Sequence, residues 1–319
     1  MVAVLAACVG GKVELPPAPV AYGPAIEVEA DAVSLDPRDP EFVALGDFRY
    51  AGGIAVSSRA TSRLHGLSDL VVSPGGRITA VSDEGDLITA RLVFDGERLS
   101  GVDDVAIRPL RGEDGKPLQG KQQGDAEGLA ILQNGEMLVS FEQTHRIWRF
   151  PPSGDRRPFP VAWPKTDMSG HDNNDGMEGL AAAPTIVGDG YWVGIEPGGI
   201  WFCRLNLLCD EVAGLPTPPP GFRLSSLTVG PDGSLVVLHH NYTPGIGSRI
   251  RVTIVRDPKG AKRTIGHFTM GPGPTTDNFE GIAVVKKPND DWRIYLLSDD
   301  NFSPSQRTLL LAFDWTPPR

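Results

Sequence analysis

The chain has 319 residues, a formal net charge of −10, 38 glycines and 29 prolines. The acidic balance argues against nucleic-acid binding, because phosphate backbones are bound by clustered Lys and Arg side chains. The many Gly and Pro residues are typical of a chain with many turns, and no apolar run is long enough to span a membrane.

The first 25 residues are predicted to be a tether that precedes a single domain over residues 26–319. Leu5-Ala6-Ala7-Cys8 has the form of a bacterial lipobox, and the Gly- and Pro-rich stretch after it is typical of a flexible linker. The segment before Cys8 is short and has no basic region, so a chance match is the alternative. If Cys8 is processed, we expect a periplasmic or outer-membrane lipoprotein of the bacterial envelope that contacts the membrane only through this anchor.

A short motif returns along the rest of the chain at intervals of about 50 residues. Its clear copies are Glu127-Gly128-Leu129-Ala130, Glu178-Gly179-Leu180-Ala181 and Glu280-Gly281-Ile282-Ala283, and weaker copies begin at Ser68 and Ser225. Each copy opens an apolar run that a turn joins to a second apolar run. Repeats of this length, built from short strands, predict an all-β fold of the β-propeller type.

The copies predict five blades. Third strands are expected at residues 87–94, 146–150, 199–205, 249–255 and 308–313, and fourth strands near 102–107, 157–162, 210–212 and 262–269. The last repeat lacks a fourth strand, and residues 42–56 could supply it and close the ring. A sixth blade built around residues 26–35 is the alternative.

The hairpin turns predict which side chains share one end of the propeller. Asn134-Gly135 is predicted to be a two-residue turn, and pairing outward from it places Glu127 opposite Glu142. The same counting pairs Ser68 with Glu84 and Ser225 with His240, and it brings Glu178 toward Glu196 and Glu280 toward Asp300. The first strand of each propeller blade lines the central shaft, so we expect these residues at one mouth of the shaft, with Asp69, Asp83 and Asp299 beside them.

Carboxylates gathered at one mouth need a counter-charge. Two like charges ~4 Å apart repel by about 4 kcal/mol at an effective dielectric constant near 20. Oxygen ligands favour Ca²⁺, with Mg²⁺ as the alternative. The predicted metal ligands are Glu84, Glu127, Glu178, Glu196, Glu280 and Asp300. Alternatively, these side chains accept hydrogen bonds from neighbouring blades and hold the ring together.

Three residues near the same mouth are predicted to be catalytic: Glu142, His240 and Arg146. A carboxylate or His240 could orient water as a general base, and Arg146 could hold a phosphate. A structural His and a salt-bridged Arg are the alternatives. Cys203 and Cys209 flank a predicted hairpin end, where a disulfide or two buried thiols would fit.

Several segments also carry a family resemblance: Asp277–Ala283 with Leu296–Phe302 and Leu309–Phe313, Ser140–Glu142 with His145–Ile147, and Trp192–Glu196. Together they resemble the phytase-like family called "esterase-like activity of phytase", over about Leu45 to Trp315. The resemblance implies a β-propeller and calcium-dependent phosphoester hydrolysis, usually in exported bacterial proteins. Ser68 and Ser225 depart from the acidic motif and put a full acidic ring in doubt.

We therefore expect a monomeric, metal-dependent hydrolase of small phosphate esters. A metal-dependent carboxylic esterase or lactonase is a further hypothesis. The alternative from another class is a non-catalytic envelope propeller that binds a protein or a glycan and uses Ca²⁺ as a structural staple, because propellers host many functions.

Overall fold

The computed structural model describes residues 20–152, 156–164, 175–185, 188–205, 208–271 and 275–318. The predicted lipobox and most of the predicted tether lie outside the described residues. Within them, the only helix is α1 (Gly120–Gly124), and no helix is long and apolar enough to cross a membrane.

The described strands run in chain order through the whole domain. They are β1 (Glu29–Ala32), β2 (Ala44–Leu45), β3 (Phe48–Ser57), β4 (Leu67–Val72), β5 (Arg77–Ser82), β6 (Asp86–Asp95), β7 (Arg98–Pro109), β8 (Ala126–Ile131), β9 (Met137–Phe141), β10 (Arg146–Phe150), β11 (Phe159–Pro160), β12 (Gly179–Thr185), β13 (Gly188–Gly194), β14 (Ile200–Arg204), β15 (Cys209–Glu211), β16 (Arg223–Val229), β17 (Leu235–Thr243), β18 (Gly247–Arg256), β19 (Arg263–Met270), β20 (Asn278–Lys286), β21 (Trp292–Asp299) and β22 (Thr308–Trp315).

These strands form a β-propeller. In the described part of the chain they make five four-stranded units, which start at β4, β8, β12, β16 and β20. The five starting strands contact one another in a closed ring and line the central shaft. The units are blades 1 to 5 in that order.

The N-terminal strand closes the ring, as predicted. Blade 5 consists of β20, β21, β22 and β3, so its outermost strand comes from the start of the domain. The closing strand spans Phe48–Ser57, a little later than the predicted 42–56. Strands β1 and β2 pair with β3 instead of building a sixth blade, which settles the blade count at five within the described residues.

Apolar side chains hold the closing strand in place. The Phe48 ring stacks on Trp315 at 5.3 Å between centroids and touches Phe268 of blade 4 at 4.8 Å. Tyr50 packs on Phe313, and all five side chains are buried. Burial of each large side chain contributes about 1.5–3 kcal/mol, so this cluster fastens the two ends of the propeller.

The predicted register of the blade 2 hairpin was wrong because the turn is longer than predicted. Leu132 and Glu136 close a three-residue loop, with the Leu132 N–H donating to the Glu136 carbonyl at 2.8 Å. Gly135 takes a φ of 82°, which a glycine adopts without strain and which three-residue hairpin loops require. Asn134-Gly135 is therefore part of a longer loop and not a two-residue turn.

A β-bulge shifts the register a second time. In blades 1, 2, 4 and 5 the ladder of the innermost strand is irregular at the motif residue, respectively Ser68, Glu127, Ser225 and Glu280. In blade 2, Ala126 pairs with Phe141, and the Glu142 N–H donates to the Asp125 carbonyl at 2.8 Å. Asp125, and not Glu127, therefore lies beside Glu142.

The bulges in blades 4 and 5 also change which residues lie opposite each other, so the predicted pairs there were wrong. Arg223, and not Ser225, lies opposite His240, and Asn278 lies opposite Asp299. An extra residue in one strand bends it and re-aims its side chain. The bulges thus place the motif side chains at the shaft instead of in the ladder between strands.

Candidate metal and active site at the shaft mouth

The motif residues of three blades bring glutamates to the shaft. Glu127, Glu178 and Glu280 are partly exposed. The charges of Glu178 and Glu280 raise the pKa of Glu127, and the charge of Glu280 also raises the pKa of Glu178. Blades 1 and 4 carry serines at this position instead. The Ser68 hydroxyl donates to Asp83 at 2.8 Å, and the Ser225 hydroxyl donates to the Phe279 carbonyl at 3.3 Å.

A compact group of three carboxylates stands beside these glutamates. Asp83, Asp125 and Glu127 each offer an oxygen, and these oxygens lie within 4.8 Å of one another. Asp83 follows β5, Asp125 precedes β8, and Glu127 lies in the bulge of β8. We call these residues the three-acid group. Loop ends from two neighbouring blades therefore meet at the mouth of the shaft.

The residues of the three-acid group fit a hard divalent cation. Asp125 is 1% exposed, and burial raises its pKa while the charge of Lys121 and side-chain hydrogen bonds from Lys121 and Gln143 oppose the rise. Lys121 of α1 lies 3.2 Å from Asp83 and 3.4 Å from Asp125 and supplies one positive charge. Three carboxylates that share a single ammonium leave uncompensated negative charge, which is costly where the groups are buried, and oxygen-only ligands suit Ca²⁺ or Mg²⁺.

Crowding and burial raise the pKa values of the shaft glutamates. Burial is the largest cause for Glu127, followed by the charges of Glu178 and Asp83. Burial also raises the pKa of Glu178 and of Glu280, followed by the charge of Glu142 for Glu178 and the charge of Asp299 for Glu280. Without a cation, these side chains retain protons at a pH where exposed glutamates are ionised.

Two further carboxylates have a pKa near neutrality. Burial raises the pKa of Glu142 to about 7, and the charges of Asp125 and Glu196 add to the effect. Burial, followed by the charge of Asp83, raises the pKa of Asp299 to about 7. A group with a pKa close to the working pH can both accept and release a proton.

Glu196 belongs to a salt bridge on the other side of the mouth. The Arg223 guanidinium lies 2.7 Å from Glu196 and also contacts Asp175. Burial raises the pKa of Glu196, and the charge of Arg223 opposes that rise. Part of the negative charge at the mouth is thus already neutralised by an arginine that the sequence analysis did not single out.

Two predicted metal ligands have protein partners of their own. Glu84 forms an ion pair with Arg63 at 2.9 Å. Asp300 binds His65 Nδ1 at 2.6 Å and accepts the Gly66 N–H and the Thr308 hydroxyl, each at 3.1 Å. Neither carboxylate belongs to the three-acid group, and the role of these two residues as metal ligands stays a prediction.

The predicted catalytic Arg146 lines a lateral cavity of about 1130 Å³ together with Trp148. Its guanidinium lies 4.0 Å from the Phe141 ring and 4.3 Å from the Trp148 ring, and it donates to the Thr144 carbonyl at 2.8 Å. Burial lowers the pKa of Arg146 to about 10. Its described contacts do not include the three-acid group, so its catalytic role remains a prediction.

His240 lies opposite Arg223 in the blade 4 hairpin. Its Nε2 is buried without a hydrogen-bond partner among the described residues, and burial lowers its pKa to about 4. The imidazole is neutral at physiological pH. Its predicted role as a base also remains a prediction.

A structural carboxylate lies in the shaft among the innermost strands. Asp69 accepts the Leu70 and Leu129 N–H groups, each at 2.9 Å, and the Ser226 hydroxyl at 3.1 Å, and the Ile282 N–H also bonds to it. Burial raises the pKa of Asp69 and these donors oppose the rise. Asp69 thus joins the blades through hydrogen bonds. The sequence analysis gave this role, as an alternative, to the motif glutamates.

The chain was compared with solved structures, with curated proteins and with protein families. Structurally similar solved proteins include a presumptive gluconolactonase (13% identity, TM-score 0.47, covering 93% of this chain and 96% of that chain). A hypothetical protein from Leishmania major has 11% identity and a TM-score of 0.42, covering 80% of this chain and 88% of that chain. The Dos1 propeller has 11% identity and a TM-score of 0.38, covering 91% of this chain and 73% of that chain. No curated protein matches. The Phytase-like family, described as "Esterase-like activity of phytase", matches residues 62–302, and the chain therefore belongs to this family.

Proposed function

We propose that the protein hydrolyses phosphate esters of small molecules at the shaft mouth and that the reaction depends on a divalent cation. Membership of the Phytase-like family supports a hydrolase of esterase-like type. The observation that carries the proposal is the three-acid group, whose oxygens lie within 4.8 Å of one another, beside the carboxylates of Glu178 and Glu280. Such a group is expected to bind a cation more readily than an anion.

Asp83, Asp125 and Glu127 would hold Ca²⁺, with Mg²⁺ as the alternative, and Glu178 and Glu280 would add negative charge nearby. When bound, the ion supplies positive charge that attracts a phosphate and polarises its ester bond. The carboxylates set the charge and the oxygen-rich character of the site. Lys121, which bridges Asp83 and Asp125 at 3.2 and 3.4 Å, keeps these acids close together.

Glu142 is the residue we assign to accept the proton of an attacking water. Its backbone N–H is bonded to the Asp125 carbonyl at 2.8 Å, which fixes it next to the three-acid group. Its side chain is largely buried, so its position is determined by packing. Arg223, held by Asp175 and Glu196, contributes a guanidinium near the mouth.

One observation favours a carboxylic ester or a lactone as a second candidate substrate. The cations described near the mouth are already paired: Lys121 with Asp83 and Asp125, Arg223 with Asp175 and Glu196, and Arg63 with Glu84 and Asp86. A doubly charged phosphate would thus depend on the metal alone for its counter-charge. A neutral ester has no such requirement.

Parallel assays separate these substrates. We expect turnover of a chromogenic phosphomonoester, a phosphodiester or phytate in the presence of CaCl₂, and its loss in EDTA. Asp125→Asn should remove this activity, while the exposed Glu41→Gln should retain it. Turnover of p-nitrophenyl acetate or a lactone alone would select the second candidate. No turnover of any ester in calcium would refute both and leave the non-catalytic propeller.

The cellular location is a separate proposal: export and lipid modification at Cys8. Expression of the wild-type chain and of Cys8→Ser in a bacterial host, followed by membrane fractionation, tests it. We expect the wild-type protein in the envelope membrane fraction and the variant outside it. Equal distribution of the two would refute the anchor.

A further inference from the structure

A second polar pocket lies on the flank of the propeller, between blades 3 and 4. Its volume is about 520 Å³, and its walls are the segment 214–219 and strands β17, β18 and β19. No acidic side chain lines it, and it shares no lining residue with the three-acid group. Its charged and polar side chains are Thr217, His239, Arg251, Thr253, Lys262 and Thr264.

His239 is the least satisfied of these side chains. It is 1% exposed, and neither of its ring nitrogens has a hydrogen-bond partner among the described residues. It pairs with Arg251 across strands β17 and β18, so the two side chains lie on the same face of the sheet. A buried polar group without a partner is destabilising. A ligand in the pocket would supply the missing partner.

The two cations of the pocket have no acidic partner. Within the described residues, neither Arg251 nor Lys262 forms a salt bridge, and the described bond of the Lys262 ammonium is to the Gly260 carbonyl at 3.2 Å. The neighbouring Lys259 has a lowered pKa, caused by burial and then by the charge of Arg204. The pocket lining therefore carries two basic side chains and no acidic one, on a chain whose net charge is −10.

We propose that this pocket binds a small oxyanion of the phosphate or sulfate class, free or as part of a larger molecule. Arg251 and Lys262 supply the charge, and Arg offers paired N–H donors that match tetrahedral oxyanions. The His239 ring and the threonine hydroxyls supply further donors. Burial, followed by the charge of Arg251, lowers the pKa of His239 to about 4. The ring is therefore neutral at pH 7 and donates from one nitrogen.

This site differs from the shaft mouth in what it requires. The mouth is acidic and would repel an oxyanion unless a cation is bound. The flank pocket is basic and needs no metal. Binding measured in EDTA therefore tests the flank pocket alone, and a failure of the hydrolysis assays would leave the result unchanged.

Calorimetry with inorganic phosphate and with sulfate, on the full chain in EDTA at constant ionic strength, tests the proposal. We expect saturable binding with one site per chain, and at least a tenfold loss of affinity in Arg251→Gln. Arg251→Lys should keep part of the affinity because the charge remains. Arg263→Gln is the matched control, since Arg263 is exposed at the start of β19 and does not line the pocket.

A second measurement uses only the wild-type protein, so its result does not depend on whether a variant folds. In ¹⁵N-imidazole spectra of the wild-type protein, the His239 resonances should move with phosphate concentration along the same curve as the heat of binding. Absence of saturable binding at 50 mM anion would overturn the proposal. So would binding that is equally weakened by Arg263→Gln, or binding that leaves the His239 resonances in place.

Discussion

Glu142→Gln should make the metal-free protein more stable at alkaline pH while removing its activity. The pKa of Glu142 is about 7 in the folded protein and 4.5 in the reference state. The folded value is the higher one, so the proton on Glu142 stabilises the fold below pH 4.5. That contribution is lost as the pH rises through about 7. A difference of this size corresponds to about 3 kcal/mol, at 1.36 kcal/mol per pKa unit.

Glutamine cannot ionise, so the variant avoids this loss. We expect the free energy of unfolding of Glu142→Gln to exceed that of the wild-type protein by about 2–3 kcal/mol at pH 8 in EDTA. At pH 4.5 the two should agree closely. Saturating calcium should reduce the difference at pH 8, because a nearby cation stabilises the ionised carboxylate.

Urea unfolding followed by circular dichroism, at both pH values and with EDTA or CaCl₂, measures these differences. Glu41→Gln removes the same charge from an exposed position and should change the free energy of unfolding by less than about 0.5 kcal/mol. Equal or lower stability of Glu142→Gln at pH 8 in EDTA would refute the reasoning. Retained hydrolytic activity in this variant would refute the role assigned to Glu142.

Three further predictions address the metal, the shaft and the disulfide. Glu127→Gln should weaken calcium binding at least tenfold, or by about 1.4 kcal/mol, in calorimetry. In Asp69→Asn, the amide N–H₂ group would face backbone N–H groups that now donate to the carboxylate. The loss of these hydrogen bonds should lower the free energy of unfolding by about 1–3 kcal/mol. Cys203 and Cys209 form a disulfide across β14 and β15 with a sequence separation of 6. Cys209→Ser should cost about 2 kcal/mol in urea unfolding.

Each of these has a contradicting result. Unchanged calcium affinity in Glu127→Gln would remove this residue from the metal site. A stable Asp69→Asn variant would show that the blades do not depend on this carboxylate. Three reactive thiols in the unfolded, unreduced 319-residue chain, instead of the single thiol of Cys8, would show that the Cys203–Cys209 bond is not formed.

The fold was largely predictable because it repeats. The motif at Glu127, Glu178 and Glu280 marks the start of a blade each time, and the pattern of apolar runs and turns follows it. The missing last strand indicated that an N-terminal segment must close the ring, and β3 does so. These features are local in sequence, which is why they could be read from it.

The site was less predictable because it depends on strand register. The three-residue loop at Gly135 and the bulge at Glu127 each alter the pairing, and together they place Asp125 beside Glu142. Neither irregularity has a distinct sequence signal, although Asp125 lies directly before the recognised motif. The pairing of Glu84 with Arg63 arises from a contact between separate loops, so it was also hidden from the repeat pattern.

The central claim is that Asp83, Asp125 and Glu127 together bind a hard divalent cation. A crystal structure with Mn²⁺ in place of Ca²⁺, using the anomalous signal of manganese, tests it most directly. We predict one strong anomalous peak at the shaft mouth, within bonding distance of oxygens from all three residues. A saturated crystal without a peak there, or with its peak at Glu84 or Asp300 instead, would show that the three-acid group is not the metal site.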